Sequence, residues 1–212
     1  MAEYSSTVPH GTGRSRSALL SFAPWIAIWI IGGHNHMRLA AGVALATCVV
    51  LIAWEYLSGL RPKSLDWGTF AIIAVLFVIA LLAPESWSNK WFVPVANGAL
   101  FALMVGTIIV GRNFAAEYGK ESAPPEVWES AAFRRATLGI SLVWTAAVGA
   151  IFVGSLVTAV RPSTEAWSTW VVTVAAIVIA LKFQHWYPDQ VARQQQAARA
   201  PVRARPWDQR GQ

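Results

Sequence analysis

Six stretches of this chain, near residues 18–33, 39–60, 67–83, 91–111, 137–160 and 166–187, are predominantly apolar. Each is close to the roughly 17–25 residues that a helix needs to cross a hydrocarbon layer about 30 Å thick. A backbone in lipid must bond its N–H and C=O groups internally, so the runs are read as helices. The fold class is therefore all-α, a polytopic membrane bundle of six transmembrane helices spanning residues 18–187. Composition agrees, with 55% hydrophobic and 13% charged residues, where a soluble domain carries roughly 25% charged. "GGHN", "RPKS", "APESWSNK", "RPSTE" and "YPDQ" place helix breakers and polar residues at the exits. The first run is the shortest and contains Pro24, so a re-entrant half-helix is its alternative. It lacks an A-x-A-type cleavage site and is read as a retained anchor.

The basic residues sort by side. Arg14, Arg16, Arg61, Lys63, Arg112, Lys120, Arg134, Arg135, Lys182, Arg193, Arg199, Arg203, Arg205 and Arg210 fall on one side of the six-span scheme. Only Arg38, Lys90 and Arg161 fall on the other. Lys and Arg are retained on the cytoplasmic side of short loops, so both termini are expected in the cytoplasm. Residues 1–17 become a cytoplasmic arm, 112–136 a cytoplasmic loop, and 188–212 a basic tail whose Gln, Ala and Arg content predicts disorder. The net charge of +6 comes from these segments, which points to anionic lipid rather than nucleic acid. Cys48 is the only cysteine, which excludes an intramolecular disulfide and a CxxC cluster.

Trp54, Trp67, Trp91, Trp128, Trp167 and Trp186 fall near span ends or in the loop, where indoles anchor at the lipid–water boundary. Trp25, Trp29 and Trp144 lie deeper and read as packing residues. Small residues let membrane helices approach closely. Gly98, Ala102 and Gly106 form one ridge at intervals of four, and Ala146, Ala150, Gly154 and Thr158 form another. The two ridges are expected to meet each other or to pack on close neighbours.

Glu55 is the only acid inside a proposed span and Lys182 the only base well inside one. Both lie about 7–8 Å from the cytoplasmic end of their helices. Equal depth permits an intramembrane Glu55–Lys182 pair, either a relay or a structural contact. Transport sites concentrate nearer the midplane, which favours the structural reading. His34 and His36, with Glu85, are the weak candidates for a metal site, and a polar turn is the better account. In the loop, "SAPPEVWESAAFRR" reads as a short amphipathic helix capped by Ser122, lying on the leaflet or docking a partner. No nucleophile stands near a base and no phosphate loop occurs, so no catalytic residue and no cofactor are assigned.

"LLSFAPWIAIWI", "KWFVPVANGALFALMVG" and "PPEVW", in this order over roughly residues 19–187, resemble the intracellular septation protein A family of bacterial inner-membrane proteins. The chain departs from that pattern between Trp128 and Trp144 and in its basic tail. The resemblance implies a role in cell-envelope maintenance or division through protein partners, and it supplies no catalytic residues. The function expected is a non-enzymatic scaffold or accessory subunit, in contact with lipid and with membrane-protein partners or further copies of itself. A small transporter or channel, and an accessory subunit of an electron-transfer complex, are the alternatives.

Overall fold

The computed structural model describes residues 18–32, 36–164 and 166–199, and its elements are all helical, with no strand among these residues. They are α1 (Ala18–Ser21), α2 (Ala23–Ile31), α3 (Met37–Leu57), α4 (Ser64–Leu82), α5 (Glu85–Ile109), α6 (Phe114–Ser122), α7 (Ala131–Val160) and α8 (Val172–Arg199). A π-helical segment, Ala166–Val171, leads directly into α8.

Among the described residues five helices are long and apolar enough to cross a membrane: α3, α4, α5, α7 and the stretch Trp167–Val191. The first apolar run differs from the expected span. It breaks at Phe22, and α2 has only nine residues, a rise of about 14 Å. Pro24 stands at the start of α2, where a missing N–H costs nothing. This short helix is nonetheless firmly placed, since Trp25 and Ile28 are wholly buried.

Local chemistry sets the helix ends. The last turn of α3 closes with Leu60 N–H on the Glu55 carbonyl at 2.9 Å and Gly59 N–H on the Tyr56 carbonyl at 3.1 Å. Gly59 holds φ at 72° between them. That left-handed cap favours glycine, and it fixes Glu55 two residues from the helix end. Gly111, at φ 75°, ends α5 in the same conformation. Arg38 donates from Nε to the Ala80 carbonyl at 3.2 Å, placing a cation on the last turn of α4.

The helices pack in sequence: α3 between α2 and α4, α5 between α4 and α7, and α8 on α7. Ile73 and Leu76 of α4 and Phe92, Leu100 and Met104 of α5 fill the centre. The α5–α7 contact is a reciprocal exchange. A Cβ at Gly98 would meet Phe152 at 2.8 Å, and one at Gly149 would meet Phe101 at 2.9 Å. Each ring thus occupies the gap left by the opposite glycine, and the two rings stack at 6.3 Å. The small-residue ridges do not meet. Gly98 receives Phe152 and Gly154 is buried against Ser168, while Ala102, Ala146 and Ala150 face outward. Large rings, not matched small residues, set the rotation of these helices.

The deep indoles have interior acceptors. Trp25 Nε1 donates to Thr69 Oγ1 at 3.3 Å, Trp29 to Asn97 Oδ1 at 2.9 Å and Trp144 to Gln184 Oε1 at 2.8 Å. Asn97 is almost completely buried. Trp29→Phe is therefore expected to cost about 1–3 kcal/mol, the penalty for a buried polar group left without its partner. Asn97→Leu in the Trp29→Phe background should recover most of that loss in a chemical unfolding titration.

Two further expectations are corrected. The loop helix does not start at Ser122: α6 ends there, a short 3-10 turn spans Pro125–Val127, and α7 begins at Ala131. Ser130 is the effective cap, its side chain accepting from Phe133 N–H at 3.2 Å. Consecutive prolines at 124 and 125 cannot donate backbone bonds, so the chain turns there. Moreover, α8 continues through Pro188 to Arg199, so the tail expected to be disordered from 188 is helical that far. Gln, Ala and Arg are strong helix formers, and a preceding helix spares them nucleation. Residues 200–212 lie outside the described residues.

Candidate functional site

The densest buried polar cluster lies where α3 ends, α4 begins and α6 crosses the bundle end. It starts from the needs of α4. The first N–H groups of a helix lack intrahelical acceptors and carry a partial positive charge. Asp66 Oδ2 accepts from Lys63 N–H at 3.1 Å, and Glu117 Oε2 accepts from Ser64 N–H at 2.9 Å. Ser64 Oγ donates to the same carboxylate at 2.8 Å. One of these two acids comes from α6, so the cap of one helix is also the attachment of another.

The sequence "FAAEYGKE" explains how α6 reaches this point. Phe114, Glu117, Tyr118 and Glu121 recur at the spacing that puts residues on one side of a helix. Phe114 and Tyr118 are buried. Glu121 Oε1 pairs with Lys63 Nζ at 2.8 Å, and that ammonium also lies 4.5 Å from the Tyr118 ring centre. Lys63 is only 7% exposed, which strengthens both interactions relative to water. Tyr118 Oη is bonded to Ser21 Oγ at 2.6 Å and to Asp66 Oδ1 at 3.3 Å, linking α6 to α1 and α4 together.

The other side of α6 rests on α7. Ser141 Oγ accepts from Ala115 N–H at 3.3 Å and is also bonded to Asn113, whose Nδ2 donates to Thr137 Oγ1 at 3.2 Å. Gly119 permits the close approach, since a Cβ there would lie 3.3 Å from the Phe133 ring. The result is a clasp: charged and hydroxyl groups from α1, α4 and α7 hold α6 across the end of the bundle. Asp66 and Glu117 accept hydrogen bonds and Glu121 is ion-paired with the lysine, an arrangement suited to holding a segment in place. A cavity of about 10 Å³, the space of one water, lies beneath it between Ser21, Cys48, Asp66 and Thr69.

Glu55 is wholly buried on α3, on the same face as Cys48 two turns earlier. Lys182 does not share its environment. It is exposed on α8, which packs on α7, and among the described residues no ion pair joins it to Glu55. The proposed intramembrane pair is thus corrected: matched depth does not bring together residues on helices at opposite ends of the packing order. His34 lies outside the described residues. His36 and Glu85 are exposed beside an open depression of about 270 Å³ at the far end of the bundle. Among the described residues no three His, Cys, Asp or Glu side chains converge as metal ligands. Trp54, Trp67, Trp167 and Trp186 are exposed, while Trp91 and Trp128 are half-buried, each with a lysine ammonium over the ring.

Sequence reasoning did not single out Asp66, Glu117, Tyr118 or Glu121, and it used Lys63 only as a charge marker. The i, i+3, i+4, i+7 pattern of "FAAEYGKE" was the available signal.

No family model matches this chain, and no solved structure matches it. Among curated proteins it is similar to the inner membrane-spanning protein YciB of Cupriavidus taiwanensis. The two are 28% identical over 131 residues, covering 60% of this chain and 68% of that protein. Together with the five membrane-length helices, this likeness supports an inner-membrane protein with transmembrane helices.

Proposed function

We propose that this chain is a non-enzymatic, six-pass inner-membrane protein that organises envelope partners by presenting α6 and the following turn at its cytoplasmic end. The clasp carries the reading. Charged residues that could have lined a path are committed to holding a nine-residue helix across the bundle end. Lys120, Glu126 and Val127 remain exposed on and after that helix. The likeness to an inner membrane-spanning protein supports the location. The strong sorting of Lys and Arg supports both termini on the cytoplasmic side, with residues 18–32 as a thin first crossing. A transporter with Glu55 and Lys182 at its mouth loses its motivation, because Lys182 stands on the outer surface of α8.

Three measurements test this. In a Cys48→Ala background, a membrane-impermeant thiol reagent added to intact cells is expected to label Asn89→Cys and to spare Lys120→Cys; the reverse overturns the topology. A photo-crosslinking residue at Lys120 or Glu126 is expected to yield one discrete adduct with an envelope protein, lost in Lys63→Met. Proton flux through reconstituted chain that Glu55→Gln abolishes would contradict the scaffold reading.

A further inference from the structure

We propose that the outward face of α8 around Lys182 binds the phosphate headgroup of an anionic phospholipid. Lys182, His185, Trp186, Asp189 and Arg193 recur at intervals of three and four, so they share one side of the helix. All five are exposed. Exposed Trp167 and Trp186 stand about 28 Å apart along the axis, close to the thickness of a hydrocarbon core. Indoles gather at its two boundaries, so they mark where lipid begins and ends on this helix. Lys182 lies about 6 Å, one turn, on the hydrocarbon side of Trp186.

A bare ammonium is unfavourable at that depth, and its flexible stem carries it back toward the headgroups. Its counter-charge is not supplied by the described residues. Among the described residues no ion pair reaches Lys182, while Glu121 is held by Lys63 and Glu129 by Arg134. Asp189, on the same stripe, is about 10 Å farther along the axis. The position below the ammonium is apolar and exposed, with Val178 and Ile179 facing outward. A lipid satisfies both halves: acyl chains cover the valine and isoleucine while the phosphate accepts from Lys182. The neighbouring His185 and Trp186 ring N–H groups are further donors at headgroup level. A free inorganic phosphate would leave the apolar half uncovered, which is why the occupant is a lipid.

The test is native mass spectrometry of the full chain released from nanodiscs of phosphatidylglycerol or of phosphatidylcholine. One retained phosphatidylglycerol is expected, held more tightly than phosphatidylcholine. Lys182→Ala should weaken it about fivefold, Lys182→Arg should keep it, and Lys120→Ala should leave it unchanged. Because Lys182 touches no other described side chain by ion pair or hydrogen bond, its removal is expected to leave folding intact, which the unfolding midpoint checks. Equal retention of the two lipids, or undiminished phosphatidylglycerol binding in Lys182→Ala, overturns the proposal. Competition by millimolar inorganic phosphate would also overturn it, since that would make the site an ion site.

Discussion

Gly154→Ala is expected to destabilise the protein by at least about 3 kcal/mol, while Gly106→Ala, on the neighbouring span, leaves stability unchanged or raises it by up to about 1 kcal/mol. The two glycines were equal members of small-residue ridges in the sequence. Their surroundings differ. A Cβ at Gly154 would lie 2.0 Å from the carbonyl oxygen of Ser168, whereas one at Gly106 would meet nothing within 4 Å. Overpacking costs roughly 1–3 kcal/mol where side chains can yield. Here the obstacle is backbone, held in a π-helical turn by Ser168 Oγ on the Thr164 carbonyl at 2.8 Å and by the Thr158 hydroxyl at 2.6 Å. Relief requires α7 and α8 to separate where α7 ends and α8 begins. Unfolding in detergent with increasing denaturant reads the difference. Equal midpoints for the two variants would show that the close α7–α8 approach is absent.

Lys63→Met is expected to cost about 2–3 kcal/mol and to release α6. Removing one partner of a buried ion pair leaves the other charge uncompensated, a loss of about 3–5 kcal/mol when burial is complete. Glu121 retains 22% exposure and so recovers part of its hydration, which lowers the figure. The cation–π contact with Tyr118 is lost with it. Glu121→Leu added to Lys63→Met should restore much of the stability, because two apolar side chains replace a pair whose desolvation was itself unfavourable. Limited proteolysis between Arg112 and Glu126 gives the local readout: the single variant is cut faster, the double variant at close to the native rate. Identical cleavage of native chain and Lys63→Met would remove the ion pair from the account.

The sequence made the bundle legible because long apolar runs have few physical solutions. Of the six expected spans, 39–60, 67–83, 91–111, 137–160 and 166–187 correspond to the five membrane-length helices. The first run was harder, because Pro24 and the break at Phe22 shorten α2 without making it less apolar. The clasp was not legible for a different reason. Ser64 and Glu117 are 53 positions apart, and Tyr118 and Ser21 are 97 apart. Periodicity could mark the inward side of α6, but which helix ends lay beneath it depended on the packing of the whole bundle. Gly98 and Gly154 of the ridges do pack on close neighbours while Ala102, Ala146 and Ala150 face outward, because spacing of small residues identifies a smooth side of a helix and not its neighbour. Phe101 and Phe152, which set that choice, carry no periodic signal of their own.

The claim that most of this depends on is that α6 is strapped to the bundle rather than lying loose in a loop. Hydrogen exchange of the backbone amides of residues 114–122, in chain held in lipid nanodiscs, tests it directly. Slow exchange comparable to the first turns of α4 is predicted in the native chain, rising by at least tenfold in Lys63→Met. Exchange in the native chain as fast as in an unstructured peptide would contradict the clasp.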